Sequence, residues 1–447
     1  MADIVEFAYD TELPAPKPQD LFEKVDIDDA VAEYFGPGHR VTSALSHGAS
    51  FWTRTARINI DLADGTPHSY FLKVARDAVG QGMCEAEYEG VAALYKVAPD
   101  FVPRPVGWGT YKADGNAHFY LADFVDMIEE HPDMPKFCSA LAKLHKDSMK
   151  LSNGLFGFDI VTYSGSMYQA VEWTDSWQEL WITSIKAYAL QEREIHGPSN
   201  ELDKLLSVYY TKVCPRLLRP LQTGGRMIKP VLIHGDIWYG NIATKAENGE
   251  PITFDPSVFW AHNEYELTTM DIPRYRMGRQ WMGEYHRHFP ISAPEEDYED
   301  RMRCYGIHSQ LCASTLYPQT TRFRRMLIDD LEYLTNKFPN GYEGSKYQSN
   351  TAIENSLMRS MISTKRKCII QNTKDLPMGP DVECLRTRRR DLLVSALQSL
   401  ELTIRFMTCL YCHELYLLRL LASRKRILSP CHPKAILGNV THSRQAA

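Results

Sequence analysis

The chain has 447 residues, of which 44% are hydrophobic and 24% are charged, and its formal net charge is −6. This composition is typical of a globular chain, and it excludes a mostly disordered chain, a collagen-like chain and a small disulfide-rich scaffold. The first twenty residues combine neither a basic start nor an apolar core, so we expect no signal or transit peptide, reduced cysteines and a cytoplasmic location. The acidic balance, and the lack of an uncharged apolar run of about 18 residues, favour a protein without nucleic-acid or membrane partners.

The first predicted elements form a β-rich lobe, which we place at 41–126 after an N-terminal segment with a short helix over 1–40. Residues 84–97 suit a helix that ends before Pro99. Three segments show the alternation or the apolar, β-branched and aromatic content that is typical of strands. These predicted strands are 55–62, 69–75 and 118–125.

Helical spacing dominates the rest of the body, over 127–345. Apolar residues recur at intervals of three and four positions in 135–149 and again in 321–338. Strands first and helices later, in one continuous block, predict an α+β fold with a small β-rich N-lobe and a larger helical C-lobe.

Charge divides the chain near residue 345. Residues 346–447 hold 17 Lys and Arg against 7 Asp and Glu, a net charge of +10, whereas residues 1–345 hold 33 against 49, a net charge of −16. We therefore predict that 346–447 is a basic, weakly structured extension, to which the sequence assigns no role. Two interpretations of it stay open: an appendage of the protein, or a reading frame that runs past the true end of the gene.

The residues that carry chemistry are concentrated in 231–267. Asp236 and Asn241 follow His234 in the order His-x-Asp-x-x-x-x-Asn, and Asp255 follows the short apolar segment ITF. This is the spacing of a kinase catalytic loop, in which the Asp accepts the hydroxyl proton and the Asn and the later Asp hold metal ions. The alternative is a polar turn between two buried strands. The apolar run before the loop and the second Asp after a further strand favour the functional interpretation.

A kinase site of this kind also needs a lysine for the phosphates and a carboxylate that positions it. Lys73 lies in the middle of the predicted strand FLKVA, where the ordinary alternative is a solvated lysine. Glu87, 14 residues further on in the predicted helix, is the best partner. Glu85 and Glu89 stay open as competitors, because helical spacing could turn any of the three towards Lys73.

A small-residue turn precedes this lysine. Gly48 and Ser50 lie between two predicted strands, where small side chains let backbone N–H groups approach a phosphate. The alternative is a plain hairpin turn. The chain has no GxxxxGK[ST] motif, so an ATPase of the Walker type is not indicated.

The motifs HGDIWYGN and FDPSVFWAHNEYEL resemble the fructosamine-3-kinase (ketosamine-3-kinase) family, a branch of the aminoglycoside-phosphotransferase and protein-kinase-like fold. The family pattern is His-Gly-Asp-Leu-Trp-x-Gly-Asn, followed by Asp-Pro-Ala, an aromatic residue, Gly-His and Glu. Here Ile237, Ser257 and Ala261 replace the Leu, Ala and Gly of that pattern. The resemblance covers about residues 41–343 and implies a two-lobed protein-kinase-like fold.

The resemblance also implies roles for single residues. Asp236 would be the catalytic base, Asn241 and Asp255 would bind Mg²⁺, and Lys73 with Glu87 would hold the ATP phosphates. The segment from Leu121 onwards would be the hinge whose backbone contacts adenine, ending with Asp123, Phe124 and Val125.

Three further residues are candidates for the substrate side. Trp238 could stack on a sugar face or could be a core aromatic residue. His262 and Glu264 could line the substrate site or could form a structural hydrogen-bond pair.

The resemblance implies a kinase that uses ATP and Mg²⁺ to phosphorylate the 3-hydroxyl of a ketosamine, on a glycated protein or a small molecule. We expect the protein to be a monomer. The product would be unstable and would shed the sugar, which makes the activity a deglycation repair. Two alternatives stay open. One is a related kinase that acts on an aminoglycoside or an amino alcohol, and the other is a kinase-like binding module.

Overall fold

The computed structural model describes residues 24–48, 53–128 and 130–342. Ser50 and the predicted extension over 346–447, with its boundary near residue 345, lie outside the described residues. Within the described ranges, no helix combines the length and the apolar character needed to cross a membrane.

The N-lobe is a five-stranded antiparallel sheet with one long helix. Its strand order is β1-β2-β3-β5-β4. The elements, in chain order, are α1 (Asp29–Ala32), β1 (Arg40–Ser46), β2 (Arg54–Asp61), β3 (Pro67–Arg76), α2 (Asp77–Val97), β4 (Pro105–Thr110) and β5 (Ala117–Asp123). All three predicted strands are confirmed to within two residues at each end.

The two faces of this sheet pack against different partners, because successive side chains of a strand point to opposite faces. Ile58, Leu72 and Leu121 are fully buried on the face that also packs against Phe35, which follows α1. Lys73 is the next residue after Leu72, so its side chain lies on the other face, towards α2. The alternation of side chains along β3 therefore places Lys73 on the face of the sheet that is turned towards α2.

The helix α2 begins at Asp77, seven residues before the predicted start at 84. Gly80 and Gly82 lie in its first turns, and because glycine has a low helix propensity the sequence did not predict a helix there. In the structure they allow close approach: a Cβ at Gly80 would lie 2.7 Å from the backbone of Ala75, and a Cβ at Gly82 would lie 2.4 Å from the Tyr163 hydroxyl. Packing therefore explains both glycines.

The C-lobe combines helices with short strands. Its first elements are β6 (Met127–Ile128), α3 (Met134–Ser148), β7 (Thr162–Ser164), β8 (Met167–Gln169), α4 (Trp177–His196), α5 (Asn200–Val208) and α6 (Cys214–Leu218). Its later elements are β9 (Val231–Ile233), β10 (Ile242–Lys245), β11 (Pro251–Thr253), β12 (Phe259–Ala261), α7 (Asn263–Glu266), α8 (Arg279–His288), α9 (Tyr298–Leu316) and α10 (Arg322–Lys337). The two predicted helices of this lobe are confirmed as α3 and α10.

The short strands of the C-lobe present the two polar loops side by side. β9 pairs with β12, and β10 pairs with β11, both antiparallel. The catalytic loop connects β9 to β10, and the segment with Asp255 connects β11 to β12. Because these strands are paired, the catalytic loop and the segment with Asp255 lie next to each other in the fold.

Candidate active site

The catalytic loop is anchored at its start by a buried carboxylate. Glu266 accepts hydrogen bonds from the backbone N–H of His234 at 2.6 Å and of Gly235 at 2.8 Å. Gly235 has φ +84°, and a Cβ there would lie 2.2 Å from the Ser257 carbonyl oxygen, so only glycine fits. These contacts fix the backbone immediately before Asp236.

Asp236 lies half-buried after this anchor and is bonded to Asn241. The Asn241 Nδ2 donates to Asp236 Oδ2 at 2.9 Å and to the Asp236 carbonyl oxygen at 3.0 Å. Burial raises the pKa of Asp236 to about 7, the negative charge of Asp255 adds to this effect, and the Asn241 hydrogen bond opposes it. A carboxyl of this kind can take up a proton near neutral pH, as a general base requires.

The donor set fits a hard cation that is shared with phosphates. Because the nitrogen of the Asn241 amide is occupied by Asp236, its Oδ1 is the end that remains for a cation. Asp255 adds a carboxylate whose side chain is 47% exposed. Among the described residues, no group of three or more His, Cys, Asp or Glu side chains is arranged to hold a metal by itself. Mg²⁺ is commonly held in this way, by one or two protein ligands together with phosphate oxygens.

Lys73 joins the two lobes at the site. Its Nζ lies 2.7 Å from both carboxylate oxygens of Glu87 on α2 and 2.7 Å from Asp255 Oδ1. The structure thus selects Glu87 over Glu85 and Glu89 as the lysine's partner. Burial acts to lower the pKa of Lys73, but the two carboxylates outweigh it and raise the pKa, so the amine is protonated.

In the predicted hinge, the side chain of Asp123 is already bonded within the N-lobe. The Asp123 carboxylate accepts hydrogen bonds from Arg104, at 2.6 and 2.9 Å, and pairs with His68. The N–H groups of Asp123 and Phe124 already donate to the carbonyls of Arg104 and Ser69. A base at this hinge would therefore use the Val125 N–H or a carbonyl group, and adenine binding by this segment stays a prediction.

The phosphate-side turn is described only in part. Gly48 has φ +80° at the end of β1, a conformation that favours glycine. The preceding residue, His47, is bonded to β2, since its N–H donates to the Thr55 carbonyl at 3.0 Å and its own carbonyl accepts from the Thr55 hydroxyl. The role of this turn in phosphate binding stays a prediction.

Trp238 is partly exposed beside Asp236. Its ring lies 5.6 Å from that of Tyr275 at an angle of 49°, and the Arg274 guanidinium lies 4.6 Å above the Tyr275 ring. Trp238 therefore keeps part of its side chain exposed near the catalytic loop, and its contact with a sugar stays a prediction.

The structure corrects the assignment of His262 and Glu264 to the substrate side. Both side chains are fully buried. His262 contacts the Tyr305 hydroxyl at 2.9 Å and the Ser292 hydroxyl at 2.8 Å, while Glu264 forms an ion pair with buried Arg301 at 2.8 Å. Side chains without accessible surface cannot touch a substrate. The alternative, a direct hydrogen-bond pair between the two, is not formed either, because each has other partners.

Sequence reasoning missed Glu266, which lies two residues after Glu264 and is the carboxylate that reaches the catalytic loop. A signal was present, since Glu266 stands between the large apolar side chains of Tyr265 and Leu267, and a carboxylate is rarely buried without a partner.

Comparison with known proteins identifies the family. Residues 38–331 match the model of the fructosamine kinase family. The ketosamine-3-kinase of Mus musculus is 28% identical over 251 residues, which cover 52% of this chain and 74% of the relative. The chloroplastic protein-ribulosamine 3-kinase of Arabidopsis thaliana is 29% identical over 269 residues, or 59% of this chain and 76% of the relative.

A solved structure from Haemophilus somnus, assigned as a fructosamine-3-kinase, covers 68% of this chain and 94% of its own, with a TM-score of 0.54 and 17% identity. This likeness supports the two-lobed protein-kinase-like fold. The matched region, 38–331, covers most of both lobes. It includes the five polar residues of the candidate site, which are Lys73, Glu87, Asp236, Asn241 and Asp255. The chain therefore belongs to the fructosamine kinase family, whose members are ATP-dependent kinases.

Proposed function

We propose that this protein phosphorylates the 3-hydroxyl of protein-bound ketosamines, such as fructosamines and ribulosamines, with ATP and Mg²⁺, and so acts in deglycation repair. The proposal is supported by the family and by relatives that are named ketosamine-3-kinase and protein-ribulosamine 3-kinase. One observation carries it: Lys73, Glu87 and Asp255 meet within hydrogen-bonding distance, next to Asp236 and Asn241. A binding module has no need of this complete set.

The residues divide the work as follows. Lys73, held protonated by Glu87, presents a positive charge to the nucleotide phosphates. Asn241 Oδ1 and the Asp255 carboxylate would hold Mg²⁺, which neutralises charge on the phosphates during transfer. Asp236 orients the acceptor hydroxyl and accepts its proton. Since there is little covalent chemistry for the protein to perform, positioning and charge supply most of the rate enhancement in such reactions.

A panel assay tests the proposal. ATP consumption is measured with fructosyl- and ribosyl-lysine peptides, aminoglycosides and amino alcohols, each with and without Mg²⁺. We expect Mg²⁺-dependent turnover with the ketosamines. Turnover confined to aminoglycosides or amino alcohols would reject the ketosamine assignment.

A further inference from the structure

The hairpin of β7 and β8 contacts the candidate site from the C-lobe side. Its strands pair Thr162 with Gln169 around a two-residue turn. The segment that leads into it is pinned to β12, because the backbones of Gly157 and Trp260 exchange two hydrogen bonds, at 3.0 and 2.9 Å. The hairpin is therefore fixed beside the strand that follows the Asp255 segment.

Both strands of the hairpin hold Ser257, two residues after Asp255. The buried Gln169 Nε2 donates to Ser257 Oγ at 2.6 Å and also lies 3.1 Å from Thr162 Oγ1. The Ser257 hydroxyl in turn donates to the Tyr163 carbonyl. In addition, the Ser257 N–H donates to the His234 carbonyl at 2.7 Å. One network thus links the hairpin, the Asp255 segment and the catalytic loop.

The same hairpin touches α2, the helix that carries Glu87. A Cβ at Gly82 would lie 2.4 Å from the Tyr163 hydroxyl, so the tyrosine rests directly on the helix backbone. A Cβ at Gly90 would lie 2.9 Å from Val258 Cγ2, next to Ser257. Glu87 lies between these two glycines. The helix is therefore seated on the hairpin and on the Asp255 segment at once.

Asp255 needs such support. Its φ is +55°, a left-handed conformation that costs free energy for a residue with a side chain. The hydrogen bonds of Ser257 to the hairpin and to the catalytic loop lie two residues from this strained position and can hold it.

We propose that the β7–β8 hairpin is a positioning element. Gln169 and Ser257 are positioning residues, which hold Asp255 and the helix that carries Glu87 in place around Lys73. This inference deepens the proposed kinase function and rests on it. Neither residue needs to touch the substrate; each acts through the loop that carries Asp255.

Ser257→Ala tests the inference with little risk to the fold, since it removes only the hydroxyl and leaves the hydrogen bond from Gln169 Nε2 to the Ser257 carbonyl, at 3.3 Å. We expect the Mg²⁺ concentration for half-maximal nucleotide binding to rise about two- to tenfold, the effect of one lost buried hydrogen bond. The kcat at saturating Mg²⁺ should stay within about twofold, because the metal site is then filled in both proteins and the substitution weakens binding alone. Without metal or nucleotide, amide hydrogen exchange should be faster in peptides that cover 254–258 and 162–169.

A double-mutant cycle and a control sharpen the test. If one link is involved, Gln169→Met combined with Ser257→Ala should cost less than the sum of the two single effects. Ser314→Ala is the matched control, because it removes a buried hydroxyl that donates to Glu192 at 3.0 Å between α9 and α4. The control should leave the Mg²⁺ titration unchanged.

The inference is overturned if Ser257→Ala matches the parent protein in both the Mg²⁺ titration and the hydrogen exchange, or if Ser314→Ala shifts the titration equally. Failure of the proposed function looks different: ketosamines would not be turned over, while Ser257→Ala would still shift Mg²⁺-dependent nucleotide binding.

Discussion

Lys73 Nζ and Asp255 Oδ1 lie 2.7 Å apart although 182 positions separate them in the chain. The lysine is on a strand of the N-lobe, and the aspartate is on a loop of the C-lobe. Their ion pair therefore ties the two lobes together at the site. It places a positive and a negative charge side by side, as the proposed binding of nucleotide phosphates and a cation requires.

Asp236→Asn should remove most of the turnover while leaving the fold and the ATP affinity nearly unchanged. Asparagine keeps the shape of the side chain but cannot accept the proton, and general bases of this kind contribute about 10²- to 10⁴-fold. The measurements are kcat, the thermal melting temperature and the Kd for ATP. A near-normal kcat would contradict the role of Asp236.

Asp255→Ala should abolish the Mg²⁺ dependence of nucleotide binding, because it removes the charged ligand of a hard cation. Lys73 keeps Glu87 as its partner, so the variant is expected to fold. Nucleotide affinity is titrated at several Mg²⁺ concentrations, with Ser314→Ala as the control. An unchanged Mg²⁺ titration in Asp255→Ala would count against the metal assignment.

How far the sequence predicts this site depends on the range of the contacts. The spacing of Asp236 and Asn241 is local, so the motif alone identifies the loop. The choice of Glu87 needs the helix to be seated, and helical spacing alone leaves three glutamates. The mistaken choice of Glu264 has the same origin, because a polar residue in a buried segment gives no sign of which partner it meets. Gln169 lies 88 positions from Ser257, and no local pattern joins them.

In the fold, too, features set by the local sequence were predicted and features set by packing contacts were missed. Alternation identified β2, since it records which face is buried, whereas β5 is buried on both faces and was identified by its apolar and aromatic content. The start of α2 was missed because Gly80 and Gly82 are selected by close contacts with Ala75 and Tyr163, and these tertiary contacts override helix propensity.

Acid should destabilise the protein through His308. Burial lowers the pKa of this imidazole to about 3, from an ordinary value near 6.5. Between these values the unfolded chain binds a proton that the folded chain does not, so stability falls as the pH drops below 6.5, by about 1.4 kcal/mol per pH unit.

Urea unfolding of the parent protein and of His308→Gln at pH 7.5 and pH 5.5 measures this effect. The parent should lose about 1.4 kcal/mol more than the variant over this interval, because only the unit below pH 6.5 contributes. Equal losses in the two proteins would show that His308 does not carry the effect.

A chain that ends at Ser345 should fold and keep its kinase activity. The described residues up to 342 contain both lobes, and the last of them pack on the C-lobe, where the Arg219 guanidinium lies 5.4 Å above the Tyr342 ring. Every residue that we assign to catalysis also lies before residue 345, so the short chain keeps the whole candidate site. Thermal melting and kcat/KM of the two chains test this expectation, and an insoluble or inactive short chain beside an active long one would contradict it.

The most direct test of the proposed function is mass spectrometry of a fructosyl-lysine peptide incubated with the protein, ATP and Mg²⁺, with Asp236→Asn in parallel. The proposed function predicts that the peptide gains one phosphoryl group on the 3-hydroxyl of the sugar, then loses the sugar and returns to unmodified lysine, and that the variant forms little product. A peptide that stays unphosphorylated, while the same protein phosphorylates an aminoglycoside or an amino alcohol, would contradict it.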